Sequence, residues 1–286
     1  MSATTLAGGS DELAFRRSWV ERLGMPVVAG MTDGCAAQLG SGALQTGSWN
    51  CVLGTTLVLK GVTEQVVQDP LGLVYCHRGP AGAWLPGGAS SSGAGALTRE
   101  LPGAAFDALT AEVAGQTPAA VAYPLAGERG ERFPLRAPEL TPFVLGTANS
   151  DAEMFHAVLA GVACVERLCF DYLDLLDVPT DGLLTFTGGG ATNPYWCRLR
   201  ASILGRAARV PENAGSALGM AMLATAAHGR SLADAAKSMV GSHSEIEPDL
   251  PASPLLDLYA RFVDHLSARH WVDPDLAWHA HRRAGR

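Results

Sequence analysis

Glycine-rich turns that directly follow short apolar runs constrain the fold of this chain more than any other feature. Gly54-Thr55-Thr56 separates the apolar runs 50–53 and 57–60, and Gly188-Gly189-Gly190 follows the run 183–186. Glycine adopts backbone conformations that other residues avoid, so such clusters mark tight turns and close approaches of the backbone. Short apolar runs bounded by these turns are typical of buried β-strands.

The order of the elements indicates the fold class. Strands are predicted at 27–31, 50–53, 57–60, 73–77, 83–85, 183–186 and 207–210. Helices are predicted at 11–23, 35–44, 94–101, 151–176, 194–204, 216–228, 231–240 and 255–270. The glycine-rich turns between the early strands favour an antiparallel meander. The later alternation of helices and strands, after a proline-punctuated stretch at 102–150, favours a mixed α/β layer architecture.

The composition excludes several classes of protein. Of the 286 residues, 48% are hydrophobic and 17% are charged, so the chain has ample material for a core and is not disordered over most of its length. The net charge of −7 gives no basic surface for nucleic acid or for an anionic membrane. Charged residues interrupt the apolar stretch 154–176, so no membrane span is expected there. Because the amino terminus also lacks signal-peptide features, we expect a soluble, cytoplasmic protein.

The six cysteines indicate neither a disulfide framework nor a zinc site. They form no Cys-x-x-Cys pair and match no metal-ligand spacing. In a chain of this length, scattered cysteines are typical of small buried side chains in a reducing compartment. His279 and His281 lie on a basic segment without carboxylate or cysteine neighbours, so no metal site is predicted.

Asp33 is the first candidate for chemistry. It follows the apolar run 27–31, and α/β proteins bind ligands at the carboxyl edge of their sheet. A carboxylate at this edge can accept a proton from a hydroxyl nucleophile. The alternative is a structural role, since Asp33-Gly34 is also a common turn pair.

Three glycine-rich segments are candidate phosphate sites. Gly54-Thr55-Thr56 can offer backbone amides and hydroxyls to a phosphate, or can serve as a plain hairpin turn. The stretch 87–93 can bind an anion ahead of a helix, or can allow close packing. Gly188-Gly189-Gly190, between a strand and a helix, can admit a planar ligand or a phosphate to the backbone. The spacings of the P-loop, the nucleophile elbow and the Rossmann fingerprint are absent.

A charged segment near residue 130 is predicted to be a salt-bridged loop. Glu128 and Glu131 alternate there with Arg129 and Arg132. Neighbouring opposite charges are more typical of exposed ion pairs than of a carboxylate pair for acid–base chemistry.

The motifs occur in an order that resembles one family. The series comprises Val28-Ala-Gly-Met-Thr-Asp33-Gly, Val52-Leu-Gly-Thr-Thr-Leu-Val-Leu-Lys60, Trp84-Leu-Pro-Gly-Gly-Ala-Ser90, Thr187-Gly-Gly-Gly-Ala-Thr-Asn-Pro-Tyr-Trp196, Ile203-Leu-Gly-Arg206 and Ser216-Ala-Leu-Gly-Met220-Ala221. Over about residues 27–270, this series resembles the carboxy-terminal domain of the FGGY carbohydrate kinases. Val74-Tyr-Cys-His-Arg78, Tyr123-Pro-Leu and Gly130-Glu-Arg-Phe-Pro134 are most similar to the D-ribulokinase and xylulokinase-like branch.

The resemblance implies an actin-like (ribonuclease-H-like) α/β domain whose mixed sheet is flanked by helices. It implies that Asp33 is the general base and that Thr32 and Asp33 contact the sugar. The implied ATP-binding residues are Gly54, Thr55, Thr56, Gly88, Ser92, Gly188, Gly189, Gly190 and Asn193. The implied reaction is in-line transfer of the γ-phosphoryl group of ATP, with Mg²⁺, to a hydroxyl of a pentulose such as D-ribulose or D-xylulose.

The family's amino-terminal domain is expected to be absent. Its Asp-x-Gly-Thr-x-x-x-Arg phosphate motif does not occur in residues 1–24. We therefore interpret residues 1–25 as a remnant or linker, 26–270 as the carboxy-terminal domain and 271–286 as a solvated basic tail. Half of a cleft predicts weak ATP binding and little or no turnover by the chain alone.

Two partners and two alternatives follow from this interpretation. The missing amino-terminal domain is one expected partner, and a second copy of the chain is the other, since an apolar surface left bare favours a homodimer. The first alternative function is a non-catalytic nucleotide-binding or dimerisation module. The second is an unrelated α/β enzyme that uses the glycine-rich turns for another cofactor.

Overall fold

A computed structural model of the protein describes residues 22, 24 and 27–285. Of the helix predicted at 11–23, the structure therefore describes only Arg22, and the rest lies outside the described residues. The strands of the described part are β1 (Trp49–Leu53), β2 (Leu57–Gly61), β3 (Tyr75–Arg78), β4 (Trp84–Ala89), β5 (Val121–Ala122), β6 (Val144–Leu145), β7 (Leu184–Thr187), β8 (Ala208–Pro211) and β9 (His243–Ile246).

The described residues also form α-helices, most of which lie in the second half of the chain. They are α1 (Asp33–Gly40), α2 (Gly95–Glu100), α3 (Phe106–Val113), α4 (Asp151–Leu175), α5 (Pro194–Leu204), α6 (Ser216–Ala227), α7 (Leu232–Met239), α8 (Ala252–Ala268) and α9 (Pro274–Arg283). Single 3₁₀ turns occur at Pro80–Gly82 and Gly189–Thr192.

Seven of these strands form one mixed sheet in the order β3-β4-β2-β1-β7-β8-β9. The strands from β3 to β1 are mutually antiparallel, as predicted for the early part of the chain. β7 pairs in parallel with both β1 and β8, and β9 closes the far edge as an antiparallel strand. Val52 of β1 lies opposite Thr187 of β7, so the turns that follow these two strands leave the same edge of the sheet.

The long helix α4 forms the centre of the core. Twenty of its 25 residues are buried, because α3, α5, α9 and the small β5-β6 sheet surround it. The apolar spacing in the predicted helix 151–176 indicates an amphipathic helix, but this helix is covered on all sides and buries most of its circumference. Ser150 caps its first turn by accepting a hydrogen bond from the Glu153 amide. Among the described residues, no helix is both long and apolar enough to cross a membrane.

A buried ion pair joins α4 to α5. The Glu166 carboxylate accepts two hydrogen bonds of 2.7 Å from the Arg200 guanidinium, and both side chains are fully buried. The guanidinium also lies over the ring of Phe186 in β7. Five of the six cysteines are buried as well, and all six are free thiols, in agreement with the sequence interpretation.

The prediction of a solvated tail at 271–286 is wrong for the described residues. Asp273 caps α9, and Leu276 and Ala280 on its inner face are buried against the core. The basic face of this helix pairs with acidic groups of α4, since Arg283 and His279 both contact the Asp174 carboxylate. The charge content of the segment obscured an amphipathic helical repeat.

Two local predictions are also wrong. Residues 27–31 form no strand, and instead an extended segment passes α6, where Gly30 lies near the Met220 side chain. A short apolar run is compatible with a packed coil as well as with a strand. The sequence also predicts Ser216 as the cap of the helix that begins there, but Gly215 occupies the cap position and the Ser216 hydroxyl donates to the Asp33 carbonyl at 2.8 Å.

Candidate functional site

The two glycine-rich turns predicted from the sequence lie next to each other at one edge of the sheet. The turn 54–56 follows β1, and the glycines at 188–190 follow the adjacent strand β7. Gly188 has a φ of 83°, and a Cβ built on it would lie 2.6 Å from the Leu53 carbonyl oxygen. The structure therefore brings together two candidate sites that are more than 130 residues apart in the sequence.

The turn after β1 presents unused hydrogen-bond donors. The Gly54 amide donates to the Thr56 carbonyl at 3.1 Å, which closes the turn, and Thr55 is exposed. Within the described part of the chain, neither the amides nor the hydroxyls of Thr55 and Thr56 form a hydrogen bond. Free amides and hydroxyls on a tight turn are a suitable arrangement for phosphate oxygens.

The stretch 87–93 differs from the predicted anion-binding loop. Gly88 lies inside β4, where a Cβ would lie 2.5 Å from the ring of Phe133, so this glycine allows close packing. The Ala94 and Gly95 amides donate to the Gly54 and Thr55 carbonyls at 3.0 Å each. These two amides, just after the stretch, are therefore not available to an anion. Their hydrogen bonds instead support the turn 54–56.

Ser92 and Asn193 are both engaged in internal hydrogen bonds. The Ser92 hydroxyl is buried and donates to Glu131 at 2.7 Å. Asn193 caps α5 by accepting from the Trp196 amide at 3.0 Å, and its side-chain amide donates to the Thr110 hydroxyl at 2.8 Å. Direct contact of either side chain with ATP stays a prediction.

Asp33 is the first residue of α1 and is exposed to solvent. Thr32 occupies the cap position before it, and the Gly34 amide donates to the Asp33 carboxylate at 2.8 Å. A carboxylate in the first turn of a helix is stabilised by the helix dipole. Asp33 therefore owes its position to a helix terminus and not to the end of a strand.

Close packing of α1 on α6 holds this helix in place. A Cβ on Gly219 of α6 would lie 1.8 Å from the Ala36 carbonyl oxygen, and one on Gly40 would lie 2.1 Å from the Gly215 carbonyl oxygen. Only glycine permits such an approach of two helical backbones. The Asp33 backbone is held from the same side by the Ser216 hydroxyl.

Asn50 connects the helix that carries Asp33 to the two strands that carry the turns. It is fully buried, and its Oδ1 accepts from the Thr185 and Thr187 hydroxyls at 3.1 and 3.0 Å. Its side-chain amide donates to the Ala37 carbonyl of α1 at 3.4 Å. Sequence analysis missed this residue, although a polar residue inside an apolar run was a signal.

A buried lysine near the first turn of α1, with a half-buried histidine beside it, was not predicted either. Lys60 is 2% exposed, and its Nζ lies 3.0 Å from His77 Nδ1 and 4.2 Å from the centre of the Tyr75 ring. Burial lowers the pKa of Lys60, whereas the neighbouring Cys35 and Cys76 raise it. Burial and the Lys60 charge lower the pKa of His77. The Lys60 side chain comes close to Gly34 in the first turn of α1.

The prediction of a salt-bridged loop near residue 130 is wrong for Glu131. Its carboxylate is 3% exposed and forms no ion pair among the described residues. It accepts hydrogen bonds from serine and tyrosine hydroxyls and from backbone amides instead. Alternating charges in the sequence could not show that donors some forty residues away converge on this group.

The described residues contain no group of three or more histidine, cysteine, aspartate or glutamate side chains that could hold a metal ion. Asp33 is the carboxylate that the sequence predicts for the site, and it is exposed. The candidate site therefore comprises one exposed carboxylate and two adjacent glycine-rich turns, the first of which has unused amide and hydroxyl donors.

Residues 42–228 match the family described as "FGGY family of carbohydrate kinases, C-terminal domain". A gluconokinase of Bacillus subtilis (strain 168) is 28% identical over 248 residues, which cover 78% of this chain and 48% of that protein. A xylulose kinase of Escherichia coli (strain K12) is 30% identical over 240 residues, which cover 79% and 47%. The chain spans about half the length of the curated relatives it matches.

Solved structures share the fold. The crystal structure of a xyloylose kinase from Brucella ovis superimposes with a TM-score of 0.73 at 26% identity, covering 84% of this chain and 52% of that one. A xylulose kinase from Rhodospirillum rubrum gives 0.74 at 24% identity, covering 88% and 54%. These similarities confirm the predicted actin-like α/β fold. Because the family match extends over both glycine-rich turns, the chain belongs to the FGGY family of carbohydrate kinases.

Proposed function

We propose that the chain forms the ATP-binding, base-carrying half of a sugar kinase. The observation that carries the proposal is the meeting of the two turns at 54–56 and 188–190 on one sheet edge. The first turn offers the Thr55 and Thr56 donors to the ATP phosphates, and the exposed Gly188 and Gly189 admit the nucleotide to the backbone. The predicted contacts of Gly54 and Gly190 then come from the backbone of the same turns.

In this proposal, Asp33 accepts the proton of the attacking sugar hydroxyl. Its carboxylate is exposed and makes only a local hydrogen bond, so it is free to face a substrate. The neighbouring Thr32 is exposed beside it and contacts the sugar. Phosphoryl transfer depends mainly on positioning and on charge neutralisation. Mg²⁺ bound to the ATP phosphates would supply part of that neutralisation.

The proposed acceptor is a hydroxyl of a pentulose, with D-ribulose or D-xylulose favoured. The xylulose kinase relative supports a pentulose, and the gluconokinase relative makes gluconate the competing acceptor. An ATP-dependent kinase agrees with the cytoplasmic location expected from the sequence. A homodimer stays a prediction, as does the contribution of an amino-terminal domain to the cleft.

A panel experiment tests this function. Phosphoryl transfer from Mg-ATP to D-ribulose, D-xylulose, gluconate and glycerol is measured with the chain alone and with a separately expressed amino-terminal domain of a relative. We expect turnover of a pentulose only when the second domain is present. Nucleotide binding without turnover of any sugar in either mixture would support the alternative, a non-catalytic nucleotide-binding or dimerisation module.

A further inference from the structure

Glu131 is a buried carboxylate on which three hydroxyl groups converge. Its Oε2 accepts hydrogen bonds from Ser90 at 2.9 Å, from Ser92 at 2.7 Å and from Tyr123 at 3.1 Å. Burial, together with the Glu131 charge, raises the pKa of the Tyr123 hydroxyl, so that this group stays protonated and donates. The carboxylate thereby joins the segment after β4 to the segment after β5.

Backbone amides satisfy the other oxygen of the same carboxylate. Glu131 Oε1 accepts from the Ser91 amide at 2.6 Å, from the Arg132 amide at 2.8 Å and from the Phe133 amide at 3.3 Å. The Arg132 side chain points elsewhere, since its Nε donates to the Ala89 carbonyl. A buried charge is tolerated only when hydrogen bonds replace its hydration, and here donors supply both oxygens.

The segment that Glu131 holds is hydrogen-bonded to the residue that directly follows the turn 54–56. The Leu57 amide donates to the Ser92 carbonyl at 2.7 Å, and the Ser90 amide donates to the Leu57 carbonyl at 2.9 Å. These bonds fix the residue at which the turn enters β2. The path from Glu131 to the turn therefore runs through Ser90 or Ser92 and then through Leu57.

Close packing completes the connection. A Cβ on Gly93 would lie 2.6 Å from the Thr55 carbonyl oxygen, and one on Gly95 would lie 2.8 Å from Thr55 Cγ2. The turn thus rests on residues 93–95, which continue the segment anchored by Glu131. A shift of this segment must move the Thr55 and Thr56 donors.

We propose that Glu131 is a positioning residue for the phosphate groups of the bound nucleotide. It acts through Ser90, Ser91 and Ser92, which set the shape of the turn 54–56 without Glu131 touching the ligand. The inference rests on the proposed function, since it needs a nucleotide at that turn. Binding of the nucleotide's phosphates should therefore depend on Glu131, whereas binding of its nucleoside should not.

The test compares ligands with and without phosphates. Affinities of the full chain for Mg-ATP, Mg-ADP and adenosine are measured by calorimetry for wild type and Glu131→Gln, well below each unfolding midpoint. Glutamine keeps the shape but replaces one acceptor oxygen with a donor. We expect ATP and ADP affinity to fall about tenfold, while adenosine affinity changes less than about twofold. A general structural defect would weaken all three ligands alike.

Asp171→Asn is the control for loss of a buried carboxylate elsewhere in the fold. Asp171 accepts from Tyr259 at 2.6 Å and pairs with Arg283 at 2.9 Å, on the side of α4 that faces α8 and α9. We expect this variant to keep wild-type affinity for all three ligands. Should Glu131→Gln not fold, Tyr123→Phe removes a single donor and is expected to cause the same phosphate-selective loss, about two- to threefold.

Hydrogen exchange at the Leu57 amide supplies a readout without nucleotide. We expect faster exchange there in Glu131→Gln than in wild type or Asp171→Asn. If wild type binds no Mg-ATP, the proposed function itself fails and the inference falls with it. If wild type binds Mg-ATP but Glu131→Gln retains the phosphate preference and the slow Leu57 exchange, the inference alone is overturned.

Discussion

Gly188 lies directly against the Leu53 carbonyl, at a distance that leaves no room for a Cβ atom. Gly190 is equally restricted, since its Cβ would lie 2.4 Å from Leu53 Cδ2. Gly189, between them, is exposed, and a Cβ there would meet nothing within 4 Å. The outer two glycines therefore leave no room for a side chain where the turn packs on Leu53, whereas a side chain at the middle one would meet open space; the exposed backbone of Gly188 and Gly189 stays accessible.

Alanine substitutions in this turn should affect protein stability at some positions and ligand binding at others. We expect Gly188→Ala and Gly190→Ala each to lower the free energy of unfolding by about 1–3 kcal/mol, because the first is strained and the second is overpacked. Gly189→Ala should change it by less than about 0.5 kcal/mol and should weaken Mg-ATP binding. Urea unfolding and calorimetry measure both quantities. Equal stability losses at all three positions would contradict this division.

Asn50 should be important for stability because it satisfies three polar groups in the core. Asn50→Ala leaves the Thr185 and Thr187 hydroxyls without their shared acceptor, so we expect a loss of about 1–3 kcal/mol in the free energy of unfolding. The exposed Asn149→Ala should change it by less than about 0.5 kcal/mol. Urea unfolding measures the free energy of unfolding of both variants. Similar losses in the two would contradict a stabilising role of the Asn50 hydrogen bonds.

Replacing only one partner of the Glu166–Arg200 pair should strongly lower the free energy of unfolding. Glu166→Gln leaves the fully buried Arg200 charge without its partner, so we expect a loss of about 3–5 kcal/mol in the free energy of unfolding. Replacement of both partners, as Glu166→Leu with Arg200→Met, should recover most of that loss. Thermal and urea unfolding of the single and double variants test the coupling, which additive losses would disprove.

Stability should depend on pH through His156. Burial lowers the pKa of this imidazole from 6.5 to about 4 in the folded protein. The unfolded chain therefore binds more protons between these values, so stability is full above pH 6.5 and falls as the pH decreases toward 4. Glutamine can keep a hydrogen bond to Tyr195 but does not titrate. In His156→Gln, the decrease in the free energy of unfolding at acidic pH should therefore be smaller by about 1–3 kcal/mol. Urea unfolding at pH 7 and pH 4.5 compares the two proteins, and identical pH profiles would refute the prediction.

Helix ends with a specific local signal could be predicted from the sequence. Pro194 at the first turn of α5 predicted the observed start of that helix. The turn at Gly54 was equally clear, because glycine and threonine residues interrupt two apolar runs. These signals lie within a few residues of the structure they specify, so no tertiary contact was needed to interpret them.

Features that depend on distant partners could not be predicted. The role of Glu131 depends on hydroxyls some forty residues earlier in the chain, and its arginine neighbours suggested an ion pair instead. The edge strand β9 has a polar, exposed sequence and pairs only because β8 offers it an open edge. The run 27–31 looked like a strand, but it forms no strand and packs near α6, where Gly30 lies beside the Met220 side chain.

The role of Asp33 is the central claim, and one comparison tests it most directly. Turnover with Mg-ATP and the preferred sugar is measured for Asp33→Asn and for Asp151→Asn, both being exposed first residues of helices, in the presence of the added amino-terminal domain. Loss of the general base should lower kcat by about 10²–10⁴-fold in Asp33→Asn, with Mg-ATP affinity unchanged, while Asp151→Asn retains wild-type kcat. Wild-type kcat in Asp33→Asn would contradict the account.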